Sequence, residues 1–282
     1  MLNFGISLFF TEYSMSPVDL AKELEVRGFE SVWSGGHSHI PAAMKTPFPG
    51  DSGIKQHYID VMDPFVTLTA AAMATKTLKI GTGVCLIAQR DPIQTAKLVA
   101  SIDQVSGGRF LFGVGDGWNQ EEVENHGTVF ATRHKRARET VEAMRAIWTQ
   151  SPAEYHGELV DFDPLQAWPK PVQKPHPPVL VGGAFPYSAR RAIRYGDGWV
   201  PGSSKQYRDI VALIPRFRQM EAEAGRDPMP ITAWYPPRDL ALLQRYHELG
   251  VVRAVFTVPS ATAEVVLPAL DEIGALMAAV NA

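Results

Sequence analysis

The 282-residue chain contains one cysteine, Cys85, so no internal disulfide is available and nothing marks an oxidising compartment. No Cys/His cluster has the spacing of a zinc site. No run reaches the roughly eighteen uninterrupted apolar residues of a membrane span. An excess of either charge is also missing: 27 Lys plus Arg stand against 30 Asp plus Glu, net −3. That balance leaves no electrostatic footprint for nucleic acid or an acidic membrane leaflet, so an anionic ligand must be held by a local site. There is no Gly-x-Ser-x-Gly elbow and no paired-carboxylate pattern. Cys85 adjoins an apolar strand and reads as a packed thiol, not a nucleophile. Met1 to Phe10 is apolar but short and follows no basic segment; it reads as a first strand instead of a signal peptide. These absences lead us to expect a cytoplasmic protein without nucleic-acid or membrane partners.

What is present is an alternation of short apolar runs with helical patterns. Strands are expected at 3–8, 30–34, 78–84, 110–115, 178–181, 198–201, 230–234 and 253–258. Helices are expected after each. Ser16-Pro17, Asp63-Pro64 and Asp91-Pro92 pair an N-cap with proline at the first helical position, and Gly28 and Gly107-Gly108 stop two helices. Further helices are read at 132–149, 187–195, about 205–224, 239–249 and 262–279. Eight strands, each followed by a helix, is the count of a single (β/α)8 TIM barrel spanning residues 1–282. Two long loops break the alternation, at 35–62 and at the proline-rich 151–178. The first lies on the strand-to-helix side, where barrel active sites sit. Either loop can also be surface decoration.

Four segments at that side are candidates for chemistry. The first is Ser34-Gly35-Gly36-His37-Ser38-His39. A histidine there can bond a cofactor ring or exchange a proton, or simply bond backbone. A His-x-His metal site lacks an obvious third ligand. The second is Gly81-Thr82-Gly83-Val84, where glycines leave room for a flat ring or for tight barrel packing. The third is Gly113-Val114-Gly115-Asp116-Gly117-Trp118, which lacks the full G-x-G-x-x-G of a dinucleotide fold and suits an aromatic wall beside a ring. The fourth is Val181-Gly182-Gly183-Ala184 before a helix, an anion site by virtue of its backbone N–H groups. Arg190 and Arg191 on that helix read as solvated-face residues. A mouth rich in glycine, histidine and tryptophan points to a cofactor that brings its own reactivity.

The same segments resemble the luciferase-like monooxygenase superfamily, in particular its branch of probable oxidoreductases that use the deazaflavin coenzyme F420. The resemblance runs over roughly residues 3–200. It is carried by Phe29 to Trp33 with His37 to Pro41, Thr46 to Gly50, Asp63-Pro64-Phe65-Val66, Ile80 to Val84 with Gln89 to Pro92, Ser106 to Trp118, Pro169-Lys170-Pro171 and Gly196 to Trp199. It implies a ring packed against the end of strand three, with a non-proline cis peptide at Gly83-Val84. It places the ring near Gly36, His37 and the Gly115-Asp116-Gly117-Trp118 turn, and a phosphate near Gly182, Gly183 and Ala184. His37 and then His39 would be the catalytic polar groups, Trp118 a wall, and the loop 41–62 with His57 and Tyr58 the shaper of a substrate pocket. A homodimer is implied as well. One position departs: relatives commonly carry an acid where Gly36 stands, and its bond to the ring is missing here. The function so implied is hydride transfer between F420 and a small organic substrate. The alternatives are an FMN-dependent monooxygenase and a non-catalytic flavin- or deazaflavin-binding protein. On this reading His37→Ala lowers activity far more than stability, and Gly83→Val fills the ring site.

Overall fold

A computed structural model describes residues 1–49, 53–202 and 210–282. Gly50 and the expected start of a helix near Lys205 lie outside the described residues. Eight parallel strands close on themselves: β1 (Asn3–Ser7), β2 (Ser31–Ser34), β3 (Lys79–Thr82), β5 (Phe110–Gly115), β8 (Val179–Gly183), β9 (Gly198–Pro201), β10 (Ile231–Trp234) and β11 (Val251–Thr257). Closure is set by Ile6 opposite Phe256 between β1 and β11 and by Ile80 opposite Phe110 between β3 and β5. A two-residue strand, β4 (Cys85–Leu86), extends the third barrel strand beyond Gly83-Val84 and pairs with Val114 and Gly115.

The helices begin where their caps predict. Ser16, Asp63 and Asp91 accept backbone N–H bonds at the starts of α1 (Pro17–Val26), α3 (Pro64–Met73) and α4 (Pro92–Ser106). Gly107 ends α4 in the left-handed conformation at φ 65°. The described part of the helix expected near 205–224 is α8 (Ile210–Glu223). Three segments carry structure that was not expected. Within 35–62 lies a single turn, α2 (Gln56–Ile59). Within 151–178 lies an antiparallel hairpin, β6 (Ala153–His156) with β7 (Asp161–Leu165). Pro164 inside β7 hid it, although an edge strand tolerates a missing N–H. After β5 comes a short helix, α5 (Gln120–Asn125), capped by Asn119.

The barrel interior is filled rather than open. Trp33, fully buried, packs with Leu111, Leu180, Val200 and Val255. Its Nε1 donates to Ser31 Oγ at 2.8 Å. A Cβ on Gly81 would lie 2.5 Å from this indole, and one on Gly5 2.9 Å from its Nε1. Beneath it, Arg253 lies 5.6 Å from the indole ring and forms two bonds to Glu30, at 2.5 and 2.6 Å. Glycine at these positions makes room for tryptophan, not for a ligand. Among the described residues no helix is long and apolar enough to cross a membrane.

Candidate active site at the carboxyl ends of the strands

Above Trp33 the carboxyl ends of the strands leave a cavity of about 430 Å³. Nine of the eleven residues expected to bind cofactor line it: Gly83, Val84, Gly115, Asp116, Gly117, Trp118, Gly182, Gly183 and Ala184. The Gly83-Val84 peptide is cis, as the resemblance implied. The Val84 isopropyl group stands in the floor of the cavity. Its Cγ2 would be 2.7 Å from a Cβ on Gly115, and its Cγ1 3.2 Å from one on Gly182. Those two glycines therefore let a branched side chain rise between the strands. Gly83 has a different neighbour. A Cβ there would lie 2.1 Å from the Trp234 ring, so the expectation that Gly83→Val fills the ring site needs correcting: it strikes Trp234 first.

One end of the cavity carries charge. Asp116, nearly buried, places Oδ2 2.6 Å from His134 Nδ1 and 3.0 Å from Arg191 Nε. Arg191 comes from the second turn of α7 (Tyr187–Tyr195), and its side chain is only 18% exposed. The solvated-face reading of Arg191 is thus overturned: the arginine turns inward because Asp116 compensates its desolvation. Arg190 stays exposed. Beside the pair lies the buried Tyr195 hydroxyl; burial pushes its pKa well above the ordinary phenol value, with Asp116 adding to the shift and Arg191 opposing it. A Cβ on Gly202 would lie 2.9 Å from the Gly183 carbonyl carbon, so this corner closes only with glycine. Glycine backbone and an arginine at the start of α7 suit a phosphate.

The other end is aromatic. Trp118, Trp234 and Tyr235 line it with Pro49. Behind Trp118 a second layer of rings is packed: Phe48 meets Trp118 and Tyr58 edge-on, each at 5.4 Å, and Phe9 lies 4.7 Å from Tyr58 and 5.0 Å from His57. His57 and Tyr58 accordingly stand in the wall of the mouth. Burial, with the nearby Tyr235, raises the Tyr58 hydroxyl to about 12, so it is neutral and can only donate or accept as a phenol.

Gly36 and His37 do not line this cavity. Gly36 faces a smaller one of about 240 Å³ with Asp63, Arg90 and His126. His37 abuts the edge of Trp118, ring centres 5.8 Å apart. Its Nδ1 is 2.6 Å from Glu122 Oε2, in a pair whose side chains are 8% and 0% exposed. Glu122 Oε1 also accepts from the Ser38 N–H at 3.2 Å. A carboxylate with no solvent contact needs such partners. With Nδ1 bonded to Glu122, the opposite nitrogen, Nε2, has no hydrogen-bond partner among the described residues. His39 is set apart: Asn125 Nδ2 donates to its Nε2 at 2.8 Å, and its Nδ1 bonds Ser38 Oγ at 2.9 Å.

Glu122 was missed at the level of sequence, although a signal exists. Asn119 stands three residues before it, the spacing of a capping box, and Asn119 Oδ1 accepts from the Glu122 N–H at 3.1 Å. The carboxylate, however, turns to His37 instead of back to the cap. Cys85 is buried and its thiol is pushed up to about 11, in keeping with an inert packed group.

The chain belongs to the luciferase-like monooxygenase family, whose model matches residues 12–237. It is 36% identical to an uncharacterized protein of Mycobacterium tuberculosis over 98% of this chain and 99% of that one. It is 30% identical to the F420-dependent hydroxymycolic acid dehydrogenase of the same organism, over 74% of this chain and 54% of that one. Among solved structures, an F420-dependent secondary alcohol dehydrogenase in complex with an F420–acetone adduct superposes with a TM-score of 0.74 at 20% identity, covering 99% of both chains. The family comprises oxidoreductases and monooxygenases with F420-dependent and FMN-dependent members.

Proposed function

We propose that the protein transfers a hydride between the deazaflavin coenzyme F420 and a small organic substrate. The observation that carries this reading is the cavity itself, with a floor of glycine backbone and the Val84 isopropyl group at the carboxyl ends of a closed barrel. When bound, a deazaflavin supplies the carbon that takes up or gives up the hydride, which fits a mouth with no activated nucleophile. Val84, Gly115 and Gly182 would hold the ring against the floor. Gly183, Ala184 and Arg191 would hold its phosphate, and Trp118 would exclude water. His37, fixed by Glu122 and packed against Trp118 outside the cavity lining, would hold that wall in place. The likeness to a dehydrogenase over 74% of the chain supports F420.

Because the fully buried Glu122 would keep only the Ser38 N–H as partner, His37→Ala costs stability as well as activity, which revises the simpler expectation made from sequence. Anaerobic calorimetric titration of the purified protein with F420 and with FMN tests the cofactor. F420 is expected to bind at least about tenfold tighter, a difference of roughly 1.4 kcal/mol. Tight FMN binding without F420 binding moves the protein to the monooxygenase reading. Binding without turnover of any substrate leaves the non-catalytic one. A homodimer belongs to the same proposal, and sedimentation at micromolar concentration tests it.

A further inference from the structure

The two ends of the cavity differ in a way that bears on the substrate. Among the described lining residues only Asp116 and Arg191 carry formal charge, and they pair with each other at the α7 end. At the opposite end a carboxylate, phosphate or ammonium would meet Trp118, Trp234 and Pro49 with no counter-ion. Rings of this kind accept hydrocarbon.

Tyr235 is the polar exception there. It follows β10 directly and is the one non-glycine residue of the described chain at positive φ, 55°. A bulky residue in the left-handed region persists only where its surroundings over-determine it, and such residues gather at functional sites. The Tyr235 N–H donates to the Val255 carbonyl at 3.0 Å, which fixes the backbone in this turn. The ring touches Trp234 edge-on at 5.8 Å and is 41% exposed, so the core does not require it. Its hydroxyl has no hydrogen-bond partner among the described residues. The strained backbone thus holds a hydroxyl at the aromatic rim of the pocket, beside Trp234.

We infer that Tyr235 selects the substrate: its hydroxyl donates to the oxygen of an uncharged, largely hydrocarbon alcohol or carbonyl compound held against Trp118 and Trp234. This rests on the reading of the cavity as a redox site and narrows what that site accepts.

Four ring compounds of one skeleton test it: benzyl alcohol, toluene, benzoate and benzylammonium, titrated by NMR into protein saturated with F420. Wild type is expected to bind benzyl alcohol about tenfold tighter than either ion. Tyr235→Phe keeps the ring and the backbone strain. It is expected to weaken benzyl alcohol by about five- to tenfold, the loss of one hydrogen bond, and to leave toluene and F420 unchanged within about twofold. Tighter binding of an ion, equal binding of benzyl alcohol by both proteins, a tenfold loss of F420 affinity in Tyr235→Phe, or no fragment binding at millimolar concentration would each overturn the inference. Failure of both F420 and FMN to bind wild type is a separate result: it removes the redox reading, whereas the fragment series judges Tyr235 alone.

Discussion

The floor of this barrel, around Trp33 beneath the cavity, and its mouth, where the cavity opens above Val84, are both lined by glycines, and the two sets serve opposite ends. At the floor, Gly5 and Gly81 give way to Trp33, and Gly113 lets a neighbouring backbone approach: a Cβ there would lie 2.0 Å from the Thr82 carbonyl oxygen. Glu30 and Arg253 seal this end from below. At the mouth, Gly115 and Gly182 flank the Val84 side chain, and open space remains above them. A glycine at a strand end therefore reports only that something comes close. Whether that is the protein's own indole or a ligand depends on which neighbours fill the space.

The largest effect is expected at the floor. Gly113→Ala drives a methyl into backbone that no rotamer change can move. It should destabilise by about 3 kcal/mol or more, at the upper end of overpacking costs, or prevent folding. Urea unfolding measures it, and a loss below about 1 kcal/mol would erase the distinction between rigid floor and adaptable mouth.

Next is the charge pair under Trp33. Burial opposes ionisation of Glu30, but the Arg253 hydrogen bonds, with Arg253 and Lys79 charge, outweigh it and hold the carboxyl at about 2 instead of 4.5. A folded-state value below the unfolded one gives stability that is fully present above pH 4.5 and is lost as pH falls toward 2. The contribution is on the order of 3 kcal/mol. Glu30→Gln should be less stable at neutral pH and should lack this part of the acid-side decline. An unchanged acid midpoint and unchanged neutral stability would mean that the floor is held by Trp33 packing alone.

Much of this barrel was legible because local signals and global fold agree. The Ser-Pro and Asp-Pro pairs start helices where their caps sit, and the apolar runs are strands because both faces of each are covered. The glycine segments of the mouth were legible as positions, and most of them do converge on one cavity. What could not be read was contact between distant segments. Nothing near residue 37 announces that Glu122, 85 positions later, is its partner. Nothing near Gly83 announces Trp234. Arg191 looked like a surface residue because its compensating Asp116 lies on another strand end. Tertiary partners decide burial of charge, and sequence spacing does not carry them.

A smaller effect on stability, and a sharper test of the contrast, comes from Gly115→Ala. Its methyl would lie 2.7 Å from Val84 Cγ2, a side-chain atom that can turn aside. The stability cost should be about 1 kcal/mol. The displaced isopropyl group then stands where the ring is proposed to lie, so F420 affinity should fall by about tenfold or more. If stability drops as far as in Gly113→Ala while binding is kept, Gly115 belongs with the floor and the proposed ring position is wrong.

The smallest effect is expected at His39, two residues from His37 and placed on the other side of Ser38. Its two ring nitrogens are satisfied by Asn125 and Ser38, and Ser38 Oγ passes the contact on to His126 Nε2 at 2.6 Å. This chain of bonds lies at the surface, outside the lining of the cavity, so His39→Ala removes contacts that water can replace. Thermal unfolding should shift by no more than about 0.5 kcal/mol in stability, the usual range for surface substitutions, and turnover should stay within a factor of about two. A large loss of turnover with stability intact would show that the mouth extends past Ser38, and that the boundary drawn here around the aromatic wall is set too close to Trp118.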